Sequence, residues 1–181
     1  MYHGLGDGGS VVETSPDLFA WQMRWLHDNG VQVVALSGLV QALRSDAPPP
    51  DRAVAVTFDD GFQSVYEQAL PVLATYGFPA TVFLVADYCG KWNDWPGQPS
   101  SIPRLPLMTW AQVREMDRMG IEFGAHSLSH ARLDTRPAST LGDEIVTSKH
   151  LIEDRLGHAI SLFSYPYGQY SEKVKALVCQ V

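Results

Sequence analysis

Residues 53–58 run Ala-Val-Ala-Val-Thr-Phe, an unbroken apolar stretch of strand-forming type, and meet two acids and a glycine at Asp59-Asp60-Gly61. Past the glycine the spacing of apolar positions changes. Phe62, Val65, Tyr66, Ala69, Leu70, Leu73 and Tyr76 share one face of a helix over 62–76. A hairpin closed on Asp-Gly would need a second alternating run here. A helical stripe instead predicts a βα turn, with both carboxylates at the carboxyl end of a strand, where α/β folds bind their ligands.

The same alternation extends along the chain. Ser15-Pro16 reads as an N-cap and first-turn proline. The helix it opens carries Leu18, Phe19, Trp21, Met23, Trp25 and Leu26 and stops at Asn29-Gly30, and its helical spacing assigns Trp25 to the core. A strand over 31–36, a short helix over 38–43 and a loop over 45–52 with Pro48-Pro49-Pro50 follow. Pro71 is expected to kink the 62–76 helix, which ends at Gly77. Residues 80–85 are a second continuous apolar strand, the pattern of a strand covered on both faces. A long loop over 87–107 holds Tyr88, Trp92 and Trp95 and is rich in Gly and Pro from Pro96 to Pro106; loops of that length in a compact domain are functional or disordered. Thr109 and Gln112 form a capping box for a helix with Trp110, Val113 and Met116 inward, ending at Gly120. A strand over 121–125, a helix over 139–156, a strand over 160–164 and a helix from residue 171 complete the pattern.

This is an α/β pattern: a parallel sheet wrapped by helices, with about five or six βα units. Residues 174–181 stop mid-pattern with no cap. Either the array is incomplete in itself or its C-terminal part lies beyond residue 181; the second fits better.

Composition narrows the class. A chain of 181 residues makes one domain with a real core, and 45% hydrophobic with 18% charged residues is ordinary for a globular protein. A net charge of −7 without a basic run argues against a nucleic-acid partner. No apolar stretch approaches the roughly 20 residues of a membrane span. Met1-Tyr2-His3-Gly4 has neither the basic nor the apolar region of a signal peptide, though a mature or trimmed chain would look the same. Cys89 and Cys179 lie far apart outside any CxxC spacing and read equally well as two thiols or one disulfide.

Candidate chemistry gathers at strand ends. His126 and His130 follow the 121–125 strand with three residues between them, a spacing that lets two imidazoles converge on one ion. With one aspartate they would make an open N/N/O site of the kind catalytic zinc uses, leaving a position for water. Alone, the pair could equally be two loop histidines without a role. Ser164-Tyr165-Pro166-Tyr167-Gly168 closes the 160–164 strand and by itself reads as a turn; His3, alone, reads as a solvated terminal residue. Tyr165, Trp92, Trp95 and Tyr88 are candidates for stacking on sugar faces, with simple loop packing the alternative for the tryptophans.

Thr57-Phe58-Asp59-Asp60-Gly61, then His126-Ser-Leu-Ser-His130 with Leu133 three residues on, then Pro166-Tyr167-Gly168, in that order, resemble the polysaccharide deacetylase family of the NodB-homology, carbohydrate esterase type. Tyr2-His3, the Phe19, Gln22, Met23 and Leu26 set, and residues 76–83 look most like its poly-β-1,6-N-acetylglucosamine deacetylase branch. The resemblance covers nearly the whole chain, as one domain over 1–181. It implies a distorted (β/α) barrel of about seven parallel strands, incomplete at the C-terminus here. It implies Asp60, His126 and His130 as ligands of Zn2+, or of another divalent cation such as Co2+ or Ni2+. It further implies Asp59 as general base, His3 as general acid and the Tyr167 N–H as oxyanion donor. Pro166, Tyr165, Leu133, Trp92 and Trp95 are the candidate substrate contacts. Many members carry an arginine two residues before the proline that orients the base; here that position is Ser164, which leaves open what orients Asp59.

The function implied is metal-dependent removal of N-acetyl groups from an N-acetylglucosamine-containing polysaccharide of the cell envelope or a biofilm matrix, in an extracytoplasmic location. The partner is then an acetylated polysaccharide or oligosaccharide, without nucleic acid or a membrane span. Two alternatives stay open: O-acetyl xylan or peptidoglycan as substrate, and a non-catalytic carbohydrate-binding module on the same fold.

Overall fold

A computed structural model of the chain describes residues 1–45 and 50–181; Pro48 and Pro49 of the expected loop lie outside them. Strands β1 (Gly4–Leu5) and β2 (Glu13–Thr14) pair in parallel, and α1 (Pro16–Asp28) follows with the Ser15 hydroxyl accepting the Leu18 N–H. Next come β3 (Gln32–Val33) and α2 (Leu36–Arg44). The 53–58 run forms β4 (Ala53–Val54) and β5 (Thr57–Phe58), β4 pairing with β3. A wide π turn over Val65–Ala69 leads into α3 (Leu70–Tyr76), then β6 (Thr81–Leu84), α4 (Trp110–Arg118) and β7 (Glu122–Ala125). α5 (Ala138–Gly142), a second π turn over Asp143–Thr147 and α6 (Ser148–Leu156) form one continuous helical run, and α7 (Glu172–Gln180) ends the chain.

Among the described residues the named strands pair in parallel, and the two antiparallel bridges, Phe62 to Leu107 and Trp92 to Pro106, lie outside them; β5, β6 and β7 form a three-stranded sheet. Single bridges extend it on both sides, Tyr2 to Phe58 and Ala125 to Phe163. The expected 160–164 strand is thus held to β7 by the Ala125 N–H donating to Leu162 O and the Ser164 N–H to Ala125 O. Pairing among the described residues forms three hydrogen-bonded groups and does not run round a closed circle. No helix among them is long and apolar enough to cross a membrane. Both cysteines are free thiols, Cys179 exposed and Cys89 partly buried, where burial pushes its pKa up to about 12.

Two local expectations change and two gain detail. The strand at 31–36 gives way to α2 two residues early, because the carboxylate of Glu122 captures the Ser37 N–H and hydroxyl in the first helical turn. Pro71 lies in the first turn of α3 directly after the π turn, so the helical run is distorted just ahead of the proline, with the Leu70 N–H reaching back five residues to the Val65 carbonyl. The 87–107 loop is ordered: buried Asn93 accepts the Leu105 N–H and donates to the Pro103 carbonyl, cross-tying its two arms. Trp25 is 46% exposed, since α1 turns Phe19 and Met23 to the core and leaves Leu18, Trp21 and Trp25 on its outer side. Trp110 is partly buried against the core that Val113 and Met116 enter fully.

The main core packs α1, α3, α4 and α6 against the sheet, and a second cluster joins Ala131, Leu133, Leu141, Ile145 and Val174. Gly124 makes the approach of β6 and the 160–164 segment possible. A Cβ there would lie 2.6 Å from Phe83 and 2.8 Å from the Leu162 carbonyl.

Candidate metal centre and active-site cleft

The parallel strands all deliver their following loops to one end of the sheet. Asp59 and Asp60 leave β5, Trp95 lies in the long loop after β6, His126 leaves β7, and Tyr165 and Tyr167 follow the Phe163 bridge. His3 arrives beside them because the backbone on each side of it is tied down. The Tyr2 N–H donates to Thr57 O, the Asp59 N–H to Tyr2 O, and the Leu5 N–H to the Ser64 hydroxyl. His3, Asp59, Asp60, His126, His130 and Tyr167 share one cavity of about 480 Å3, with Trp95, Gln98 and Tyr165 among its other walls. A second cavity of about 410 Å3 lies between α2, α7 and residues 160–163, and among the described residues no acidic or histidine side chain lines it.

Successive strand residues point to opposite faces, so two adjacent aspartates need a backbone twist to serve one pocket. The twist is present: Asp60 has φ +70 and Gly61 φ +78. At Gly61 a Cβ would also lie 2.8 Å from Leu84 Cδ2. Ser127, His130 and Tyr167 share this left-handed conformation, so four of the five non-glycine residues with positive φ among the described residues lie in the site. Each costs on the order of 1 kcal/mol, a concentration of strain typical of functional loops.

Asp60, His126 and His130 are buried, and their ligand atoms lie within 4.8 Å of one another. Asp60 Oδ1 is 3.4 Å from His126 Nε2 and 3.2 Å from His130 Nε2, yet neither approach has hydrogen-bond geometry and the oxygen is left without a partner. Donors at 2.0–2.1 Å around a tetrahedral cation sit about 3.3 Å apart, so the two spacings from Asp60 match edges of such a shell. His126 Nδ1 faces the Ser164 carbonyl at 2.9 Å. A carbonyl only accepts, so Nδ1 carries a proton and Nε2, the nitrogen facing Asp60, is the one that offers a lone pair when the ring is neutral. This N/N/O donor set suits a borderline divalent cation. Burial opposes the Asp60 charge, but the two imidazoles hold its pKa well below the usual carboxylate range. Burial lowers both imidazoles; Asp60 outweighs it at His126, whose pKa rises, whereas at His130 burial prevails and the pKa falls.

Asp59 points into the same cavity and accepts the Ser164 hydroxyl at 3.3 Å. Trp95, 2% exposed, lays its ring 4.2 Å from that of His130, and the Tyr167 ring meets His130 edge-on at 4.6 Å. The Trp95 Nε1 lies near the Tyr167 hydroxyl without hydrogen-bond geometry and remains a buried, unpartnered donor. Tyr165 lines the cavity and stacks on Tyr170, and Pro166 is buried behind it. Three candidates do not line the cavity: Pro166 is buried in the turn between Tyr165 and Tyr167, Leu133 is fully buried in the second core cluster, and Trp92 faces solvent with the Arg104 guanidinium 4.4 Å above its ring.

Sequence reasoning missed Glu144. Buried in the second π turn, its carboxylate accepts the Leu128 N–H at 3.2 Å, the Ser129 N–H at 3.0 Å and the Ser129 hydroxyl at 2.6 Å. It is the floor of the loop between the two histidines. A charged residue on the apolar side of the 139–156 pattern was the available signal.

The fold and site together are an α/β array of parallel strands whose carboxyl-end loops surround a buried Asp/His/His cluster able to hold a metal ion, with a second carboxylate beside it. The chain belongs to the polysaccharide deacetylase family, whose model matches residues 46–181. YxkH of Bacillus subtilis (strain 168), named for that family, is 32% identical over 173 residues, 96% of this chain and 57% of YxkH. The poly-beta-1,6-N-acetyl-D-glucosamine N-deacetylase of Staphylococcus epidermidis is 28% identical over 170 residues, 88% of this chain and 55% of that protein. The chain therefore spans little more than half the length of these relatives. The solved structure of IcaB from Ammonifex degensii superposes with a TM-score of 0.84 at 26% identity, covering 99% of this chain and 77% of that one. Streptococcus pyogenes deacetylase PplD shares the fold, with a TM-score of 0.84 at 23% identity.

Proposed function

We propose that this chain is a metal-dependent deacetylase domain, 1–181, that hydrolyses N-acetyl groups on an N-acetylglucosamine-containing polysaccharide outside the cytoplasm, on a distorted barrel related to that of its structural neighbours. The observation that carries it is the meeting of Asp60, His126 and His130 within 4.8 Å, with Asp59 in the same cavity. The matches to poly-beta-1,6-N-acetyl-D-glucosamine N-deacetylases support the substrate class.

In this reading Asp60, His126 and His130 hold a divalent cation, Zn2+ or a similar ion such as Co2+ or Ni2+. When bound, such an ion lowers the pKa of water from about 15.7 towards 7 and polarises the acetamide carbonyl. Asp59 takes the proton from the attacking water. The Tyr167 N–H donates to the oxygen that gains charge as the carbonyl becomes tetrahedral. His3 lines the cavity, so an imidazole is on hand to give a proton to the departing amine. Tyr165, partly exposed, is the wall against which a sugar ring packs, while buried Trp95 backs His130 from behind. Pro166, Leu133 and Trp92 take no part in this reading, since none of them lines the cavity.

Acetate release from N-acetylglucosamine oligomers tests the proposal. The rate is expected to vanish with a chelator and to return with zinc; activity insensitive to metal removal would contradict it. O-acetylated xylan and peptidoglycan in the same assay separate the substrate classes.

A further inference from the structure

Ser164 touches both halves of the proposed chemistry. Its N–H donates to the Ala125 carbonyl at 2.9 Å, which pins it to the strand that delivers His126. Its carbonyl accepts from His126 Nδ1 at 2.9 Å, and its hydroxyl donates to Asp59 Oδ2 at 3.3 Å. Among the described residues no other side chain donates to Asp59, and no cation lies within ion-pair distance of it. The Asp59 backbone is fixed by the Tyr2 carbonyl, so the remaining freedom is rotation of its carboxylate.

We propose that Ser164 is the positioning residue of Asp59 and ties that carboxylate to His126 through a single backbone unit. The inference rests on Asp59 being the base of the proposed reaction. A hydroxyl has one hydrogen to give. It engages Oδ2 alone and leaves Oδ1 without a side-chain donor among the described residues, whereas a two-pronged donor such as guanidinium can occupy both oxygens. With the ring of His126 oriented by the same residue's carbonyl, base and imidazole keep one relative placement. Holding a reacting group in its productive geometry acts on the rate of the chemical step and not on substrate affinity.

Ser164→Ala removes the hydroxyl and keeps both backbone bonds. The expected result is a fall in kcat of about tenfold, with KM, zinc affinity by competitive titration and melting temperature unchanged. Ser164→Thr restores the rate. In an Asp59→Asn background, Ser164→Ala has no further effect, because the two residues act as one unit. Crystals of Ser164→Ala show the Asp59 carboxylate in more than one rotamer, a readout independent of turnover. The inference is overturned if Ser164→Ala matches the wild-type kcat, if Asp59 keeps one rotamer without the hydroxyl, or if zinc affinity and melting temperature fall along with the rate. An Asp59→Asn variant with full activity would instead refute the role of Asp59 itself.

Discussion

Glu144→Ala is the most informative single perturbation outside the cleft. The carboxylate is 8% exposed and its acceptors serve Leu128 and Ser129, midway between two histidines that both face Asp60. Leu128 has a second acceptor in the Glu144 carbonyl at 3.0 Å, which the substitution leaves in place. The losses therefore concentrate on Ser129, whose N–H and hydroxyl both lose a charged partner. Hydrogen bonds to charged groups are worth about 1.5–3 kcal/mol each, so a destabilisation of about 3 kcal/mol is expected, a large part of the roughly 5–15 kcal/mol that holds a domain together. Slack in that loop also spreads His126 and His130, and supporting contacts of this kind are worth about 10–100-fold in metal affinity. Urea unfolding of the metal-free protein reads the first quantity and competitive zinc titration the second. Glu144→Gln, with one acceptor oxygen retained, should fall between. A Glu144→Ala protein with the wild-type urea midpoint and zinc affinity would refute the idea that this carboxylate holds the loop.

Gly124→Ala forces a methyl group to within 2.6 Å of Phe83 and 2.8 Å of the Leu162 carbonyl; overpacking of that kind should cost about 2 kcal/mol by urea unfolding, and a neutral result would mean the three segments pack more loosely. Trp95→Ala should cost about 3 kcal/mol, since the indole is buried against His130. Trp92→Ala, from the same loop but 40% exposed, should cost under about 1 kcal/mol. The His158 pKa is raised by its bond to Asp117 at 2.9 Å and by the Ala159 carbonyl. That contribution is fully present below the ordinary histidine pKa of about 6.5 and is lost as pH rises through the raised folded value. His158→Ala should therefore destabilise more at about pH 5.5 than at about pH 8.5, by under about 1 kcal/mol because the pair is exposed and screened; equal losses at both pH values would show the bond carries no linkage.

Features written in adjacent residues were legible before any coordinates. Ser15 and Thr109 with Gln112 cap the helices they precede, because a cap reaches only two or three residues along the chain. Gly77 ends α3 in the left-handed conformation. The switch from an apolar run to a helical stripe after Asp59-Asp60-Gly61 marked a βα turn because periodicity is itself local. By contrast, α1 offered two apolar stripes at helical spacing, one with Phe19 and Met23 and one with Leu18, Trp21 and Trp25. Nothing in the spacing said which one the sheet would cover.

By itself, then, the amino-acid order determined the strand–helix alternation and the position of each acid, imidazole and Pro-Tyr-Gly turn at the carboxyl end of a strand, since those depend on short-range backbone preference. Only the folded chain decided that Asp60 meets both imidazoles, that Ser164 reaches Asp59 across 105 positions of sequence, that Glu144 underlies the histidine loop, and that Leu133 is core while Trp95 is wall. Those relations arise where distant segments pack, and the packing is chosen by the total apolar surface buried and by polar groups finding partners. No window of neighbouring residues contains either quantity.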